Sequence, residues 1–189
     1  MRHRARFIFA ISCAALLFLI RHASPDEIHD AVRSGNLEKI RTLLESHSEW
    51  LNSPDQNRRT PLHLALESGH INIARHLIDQ GADINLKDTD RATPLHNAAY
   101  LGNLEVVDLL LKKGATSINE GNYRGQKPLH LACEKGHPRV VTRLLDAGAD
   151  IEARDSLGRT PLMVTSVSKN MEVVGVLVLL MDVETVFAQ

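Results

Sequence analysis

Apolar residues along this chain come in short bursts at helical spacing, each closed by a glycine. Leu62, Ala65 and Leu66 fall on one face of a helix of about seven residues, which ends where Gly69 offers a left-handed C-cap. Ile73, Ala74, Leu77 and Ile78 form the face of a second helix that begins near Ile71 and stops at Gly81. The pair then recurs: Gly102 and Gly136 repeat the first stop, while Gly114 and Gly148 repeat the second. Helices this short are marginal alone in water, so each pair must bury its apolar face against its neighbours.

The start of each pair carries its own signature. Thr60-Pro61-Leu62-His63 returns as Thr93-Pro94-Leu95-His96, as Lys127-Pro128-Leu129-His130 and as Thr160-Pro161-Leu162-Met163. The prolines lie 33, 34 and 33 residues apart, a period that means stacked repeats. Threonine is a good N-cap, and proline fits the first helical position, where no N–H is needed. Helix, turn, helix and extended loop, with this motif at the start and Gly81-Ala82-Asp83 or Gly148-Ala149-Asp150 near the end, resembles the ankyrin repeat family. The resemblance covers roughly residues 25–185. It implies an all-α solenoid of stacked helix-turn-helix repeats with hairpin-like loops projecting from one side. It also implies a structural role for His63, His96 and His130, each hydrogen-bonding locally and tying one repeat to the next.

Five repeats are expected, at 25–54, 55–87, 88–121, 122–154 and 155–185, with 186–189 as a tail. The first lacks the threonine-proline start and carries acidic Asp26 and Glu27 there, which suits a helix N-terminus and an N-terminal cap. Its longer loop holds Trp50, the chain's single tryptophan, read as cover for the edge of the first interface. The third repeat gains one residue in Gly114-Ala115-Thr116-Ser117-Ile118-Asn119. The fifth departs most: Lys169 stands where a glycine should end the helix, and Val173 to Met181 has no polar face. A terminal repeat should present one to water, so either another layer covers it or the array ends in an adhesive surface that supports self-association.

Residues 1–24 read as a signal peptide or membrane anchor. Arg2, Arg4 and Arg6 precede an uncharged run over 7–20, and no acidic residue occurs before Asp26. Arg21 spoils a cleavage site after Ala23, which leaves an uncleaved tether open. Fourteen helical residues reach about 21 Å against a hydrocarbon core of about 30 Å, and Arg6 and Arg21 could extend that by snorkelling. Either reading sends the repeats across the membrane, exported or anchored outside the cytoplasm. Cys13 lies in this leader and Cys133 is alone in the remainder, so no disulfide forms within the mature chain.

The chemistry-bearing residues follow the repeat. His63, His96 and His130 occupy equivalent positions in stacked helices roughly 8–10 Å apart, too far to converge on one metal at about 2.1 Å. Asp55, Asp88 and Asp155, with Asn122 in the fourth copy, sit one per repeat before each helix and are read as closing their own turns. No phosphate-binding glycine loop, zinc-protease motif or nucleophile elbow occurs. Neither an enzyme nor a bound cofactor or metal is therefore expected.

Charge argues against nucleic acid. With Arg2, Arg4, Arg6 and Arg21 set aside from the 22 basic residues, 18 remain against 23 acidic ones. Loop tips still carry Arg58, Arg59, Arg91, Arg124 and Arg159, read as a solvated rim or as a groove for an acidic partner. The resemblance implies a protein partner held across the loop tips and the outer ends of the first helices. On this chain those positions include Arg59, Glu67, Asp90, Arg91, Tyr100, Leu101, Tyr123, Arg124, Glu134, Lys135 and Arg159. Tyrosine and arginine anchor interfaces, so Tyr100, Leu101 and Tyr123 beside Arg91 and Arg124 make the central candidate patch.

Overall fold

The computed structural model describes residues 24–168 and 170–187, and every helix among them belongs to a helix pair. The expected leader over 1–24 lies outside the described residues but for Ser24, as do Lys169 and the last two residues of the tail. The pairs are α1 (Asp26–Arg33) with α2 (Leu37–Ser46), α3 (Pro61–Glu67) with α4 (Ile71–Asp79), α5 (Pro94–Leu101) with α6 (Leu104–Lys112), α7 (Pro128–Lys135) with α8 (Pro138–Asp146), and α9 (Pro161–Ser168) with α10 (Met171–Phe187). Short 3-10 turns at Ser48–Asn52 and Ser117–Asn119 follow the first and third pairs. No strand occurs among the described residues.

First helices pack on first helices to form one layer, from α1 through α3, α5 and α7 to α9. Second helices form the other, with α4 on α6, α6 on α8 and α8 on α10. One continuous core runs between the layers, from Ile28 and Ile40 through Leu62, Leu77, Leu95 and Leu110 to Leu129, Leu144 and Leu177. Its period is the period of the sequence, because each leucine or isoleucine fills the seam between its own pair and the next. Trp50 is buried at the first seam, its ring stacked on His47 with centroids 4.0 Å apart.

Two sets of bonds stitch neighbouring repeats together. At the hairpin tips, Thr89 N–H donates to Asn57 O, Tyr123 N–H to Asp90 O and Ser156 N–H to Arg124 O, at 2.8–3.0 Å. In the loops that follow the second helices, Asn52 Oδ1 accepts from Asp83 N–H, Asn85 Oδ1 from Thr116 N–H and Asn119 Oδ1 from Asp150 N–H. The stack is thus pinned from repeat to repeat both at the hairpin tips and in the loops that lead to them.

Left-handed backbone marks the first-helix ends, and at Gly102 it coincides with close packing. Gly102 has φ 72°, and a Cβ there would run into the ring of His137, whose Nε2 bonds to Tyr100 O at 3.0 Å. A side chain at this position would meet both strain and an occupied space.

The fifth repeat differs from the others. Its second helix, α10, has 17 residues and extends past residue 185. Met163, Met171, Val178 and Leu179 are exposed on it and its partner, whereas Val173 and Leu177 are fully buried against the preceding repeat. No described helix is long and apolar enough to cross a membrane.

Candidate protein-binding groove

Each hairpin is closed by the side chain that opens it. Asp55 Oδ1 accepts the N–H groups of Asn57 and Arg59, Asp155 Oδ1 those of Leu157 and Arg159, and Asn122 Oδ1 those of Arg124 and Gln126, all at 2.9–3.0 Å. Asp88 Oδ1 accepts from Ala92 N–H at 2.8 Å. These turns aim the tips, and in the second and fifth repeats they bring Arg59 and Arg159 beside the second carboxylate oxygen.

The capping histidines then join hairpin to helix and repeat to repeat. In the second repeat, Thr60 N–H donates to His63 Nδ1 at 3.2 Å, and the Thr60 hydroxyl lies 2.9 Å from the same nitrogen. His63 Nε2 bonds to Ala92 O of the next repeat at 3.2 Å. His96 repeats this toward Glu120 O and Gln126 O, and His130 toward Arg159 O. Nδ1 accepting and Nε2 donating describes a neutral ring. Burial lowers all three histidines, His96 to about 4.

Two repeats depart from the full cap. Lys127 supplies its N–H to His130 Nδ1 but has no side-chain acceptor to return. In the fifth, Met163 leaves Thr160 Oγ1 accepting only the Met163 N–H at 3.4 Å. The first repeat retains more than its lost motif suggests: His29 occupies the capping-histidine position and bonds to Ser53 O at 2.8 Å, although its buried Nδ1 has no hydrogen-bond partner, Asp26 Oδ1 standing 3.9 Å away.

The tips and first-helix ends of the middle repeats enclose an open groove of about 440 Å³. Tyr100, Leu101, Tyr123 and Arg124 line it, together with Glu67, Asp90, Glu134 and Lys135. Tyr100 and Tyr123 are each about half exposed, and both carry cations: Lys135 Nζ stands 4.3 Å from the Tyr100 ring centre, and the Arg124 guanidinium 5.2 Å from that of Tyr123. Arg124 Nε also donates to the Tyr123 hydroxyl at 2.5 Å. Arg91 is exposed at a hairpin tip outside the lining, where its φ of 59° puts it in the left-handed region.

Arg59 and Arg159 are directed inward. Arg59 donates from Nε and Nη2 to Asp55 Oδ2 at 3.0 and 2.8 Å, and from Nη1 to Glu67 at 2.8 Å. Arg159 holds Asp155 Oδ2 in the same way, at 2.8 and 2.7 Å. Burial opposes the charge on Asp55 and Asp155, but the arginines and backbone amides outweigh it and hold both carboxyls below the usual range. The tips therefore do not present the uninterrupted basic row that the arginines suggest. Four carboxylates, Glu67, Asp88, Asp90 and Glu134, line the groove against two cations, Arg124 and Lys135.

Asp88, Asn97 and Leu131 also line the groove and escape sequence reasoning as surface positions. Asn97 leaves a signal, since the residue after the motif histidine is Leu64, Leu131 or Val164 in other copies. A polar residue at that register marks where the seam opens to water. Asn52, Asn85 and Asn119 recur at spacings of 33 and 34, matching the prolines.

The family model for ankyrin repeats (3 copies) matches residues 11–88, 28–122, 80–155 and 116–186. The chain belongs to the ankyrin repeat family, whose repeats are generic protein–protein interaction modules and typically non-catalytic. Similar proteins include an L-asparaginase of Dirofilaria immitis, 30% identical over 90% of this chain and 28% of that protein. A probable E3 ubiquitin-protein ligase XBOS32 of Oryza sativa subsp. japonica is 33% identical over 71% of this chain and 21% of its own length. The transient receptor potential cation channel subfamily A member 1 of Homo sapiens is 30% identical over 65% and 8%. The chain thus spans less than a third of each of these relatives.

Proposed function

We propose that this chain is a non-catalytic binding module that holds a protein partner in the groove between Tyr100, Leu101 and Tyr123. The observation that carries the reading is the coincidence of half-exposed aromatics, paired cations and a concave surface on side chains that the stack itself does not need. The groove sits on pinned hairpins and helix ends, so a partner meets a preformed surface and little ordering entropy is lost. The histidines that would invite catalysis are committed to caps and inter-repeat bonds.

The test is affinity capture from the source organism with the full chain, beside a Tyr100→Ala, Tyr123→Ala, Arg124→Ala variant of unchanged helix content. A protein retained by the first and lost by the second supports the groove. Identical retention by both overturns it.

A second reading is favoured by the exposed Met163, Met171, Val178 and Leu179: the last repeat docks on another copy of the chain. Sedimentation of the full chain should then show an oligomer that Met171→Glu with Leu179→Glu converts to monomer. A monomeric parent removes this reading.

Export or membrane tethering through residues 7–20 is our proposal for location, supported by the arginines ahead of an uncharged run. Protease added to intact cells should cleave the repeats. Full protection while the cell is closed would place them inside.

A further inference from the structure

The second, third and fifth repeats build the same aspartate hairpin, and only the third leaves it without a cation. Asp55 Oδ2 receives Arg59 from its own repeat and Arg33 Nη2, at 3.1 Å, from the repeat before. Asp155 Oδ2 receives Arg159. At the third repeat, Ala92 stands where Arg59 and Arg159 stand, and Glu67 stands where Arg33 does. Asp88 is buried to 8% exposure, and its Oδ2 has no hydrogen-bond or ion-pair partner among the described residues. The fourth repeat avoids the difficulty by being neutral, with Asn122 bonded to Gln126.

The surroundings deepen the deficit. Burial raises the Glu67 carboxyl, and Asp88 and Asp55 push it further against the pull of Arg59. Asp90 and Glu134 line the same groove. Of the two cations there, Arg124 is bonded to Tyr123 and Lys135 lies over Tyr100. A carboxylate this enclosed, with its second oxygen open to the groove and other carboxylates around it, favours an incoming cation.

We infer that the groove seats an arginine side chain of the bound protein on Asp88, replacing from outside the guanidinium that the second and fifth repeats carry themselves. Arginine is specified over lysine by the precedent within the chain: Arg59 and Arg159 each approach their aspartate with two nitrogens, a planar fork that an ammonium cannot reproduce. Ala92 leaves the space, and Tyr100 and Leu101 offer apolar surface for the arginine stem. The inference rests on the binding reading above and adds the chemistry of the ligand. It also reverses the sign that the arginines at the loop tips suggest, because Arg59 and Arg159 are already paired with carboxylates.

Two substitutions with models inside the chain test it. Ala92→Arg gives the third repeat the arginine of the second and fifth; Asp88→Asn gives it the asparagine of the fourth and keeps the turn acceptor. Random dodecapeptides displayed on phage are selected on the full chain, and a selected peptide, fluorescein-labelled, is titrated by anisotropy. We expect selected peptides to share an arginine. Changing it to citrulline, or using either variant, should weaken binding by about tenfold or more, while Ala92→Arg melts no lower than the parent.

Binding unchanged in both variants but lost in Tyr100→Ala with Tyr123→Ala would overturn the arginine site and leave the binding groove standing. Enrichment of acidic peptides that depend on Arg124 would overturn it equally. Peptides indifferent to every one of these substitutions, or no selected peptide, would remove the binding groove and the arginine site together.

Discussion

His96 Nε2 lies 3.2 Å from the carbonyl oxygen of Gln126, thirty residues on, while its Nδ1 takes the N–H of Thr93 at 3.2 Å. One imidazole therefore caps its own helix and grips the next hairpin, and it does both only when neutral. Protonation at Nδ1 would turn an acceptor into a donor facing a donor.

The pH dependence of stability follows. His96 is lowered by burial from 6.5 to about 4, and His63 and His130 are lowered for the same reason. Between these values the unfolded chain binds protons that the folded chain refuses, so stability is complete above about pH 6.5 and falls as the pH drops toward 4. His96 alone should account for about 3 kcal/mol across that window. Urea unfolding from pH 7.5 to 4.5 should show the loss, with a shallower slope in His96→Gln. A flat parent profile would contradict the assignment.

Asn85 joins the second repeat to the third through Thr116, its Oδ1 accepting both the N–H at 3.0 Å and the hydroxyl at 3.3 Å. Asn85→Ala should cost about 1 kcal/mol at this partly exposed joint. Hydrogen exchange should speed up at Thr116 in particular. An effect spread evenly over the stack would argue against a local tie.

The fourth repeat has an incomplete cap because Lys127 stands at the threonine position. Lys127→Thr should restore the hydroxyl that Thr60 and Thr93 place 2.9 Å from their histidines, and stabilise by about 0.5–1 kcal/mol. Thermal melting measures it. A lower melting temperature would mean that the lysine has a role of its own.

Arg91 holds a left-handed backbone conformation at the hairpin position that Gly125 and Gly158 occupy in the fourth and fifth copies. Arg91→Gly should relieve strain and stabilise by about 0.5–1 kcal/mol. Because Arg91 lies outside the groove lining, binding of the groove peptide should change by less than about twofold. A large loss of affinity would bring this arginine into the site.

Much of the architecture was legible before any coordinates. Proline, threonine and histidine at a fixed period announce the helix starts because each acts within four residues, and glycine announces the stops for the same reason. The groove was legible only in outline. Tyr100 and Tyr123 stood out as aromatics at positions that packing leaves free, and both line it. Its sign was hidden, since nothing in the order of residues says that Arg59 turns back onto Asp55 and Glu67, or that Asp88 receives no cation. Asp55 and Asp88 read alike, yet one holds two arginines and the other none.

The sequence by itself determined the repeat, the helix pairs, the caps and the identity of the seam residues, because local backbone preferences and apolar spacing act over a few positions. Only the tertiary structure decided which charges are spent, which carboxylate stays open and where Tyr100 and Tyr123 share one concavity. Those outcomes depend on side chains from separate repeats meeting across a seam, and electrostatic pairing is set by that distance rather than by position along the chain.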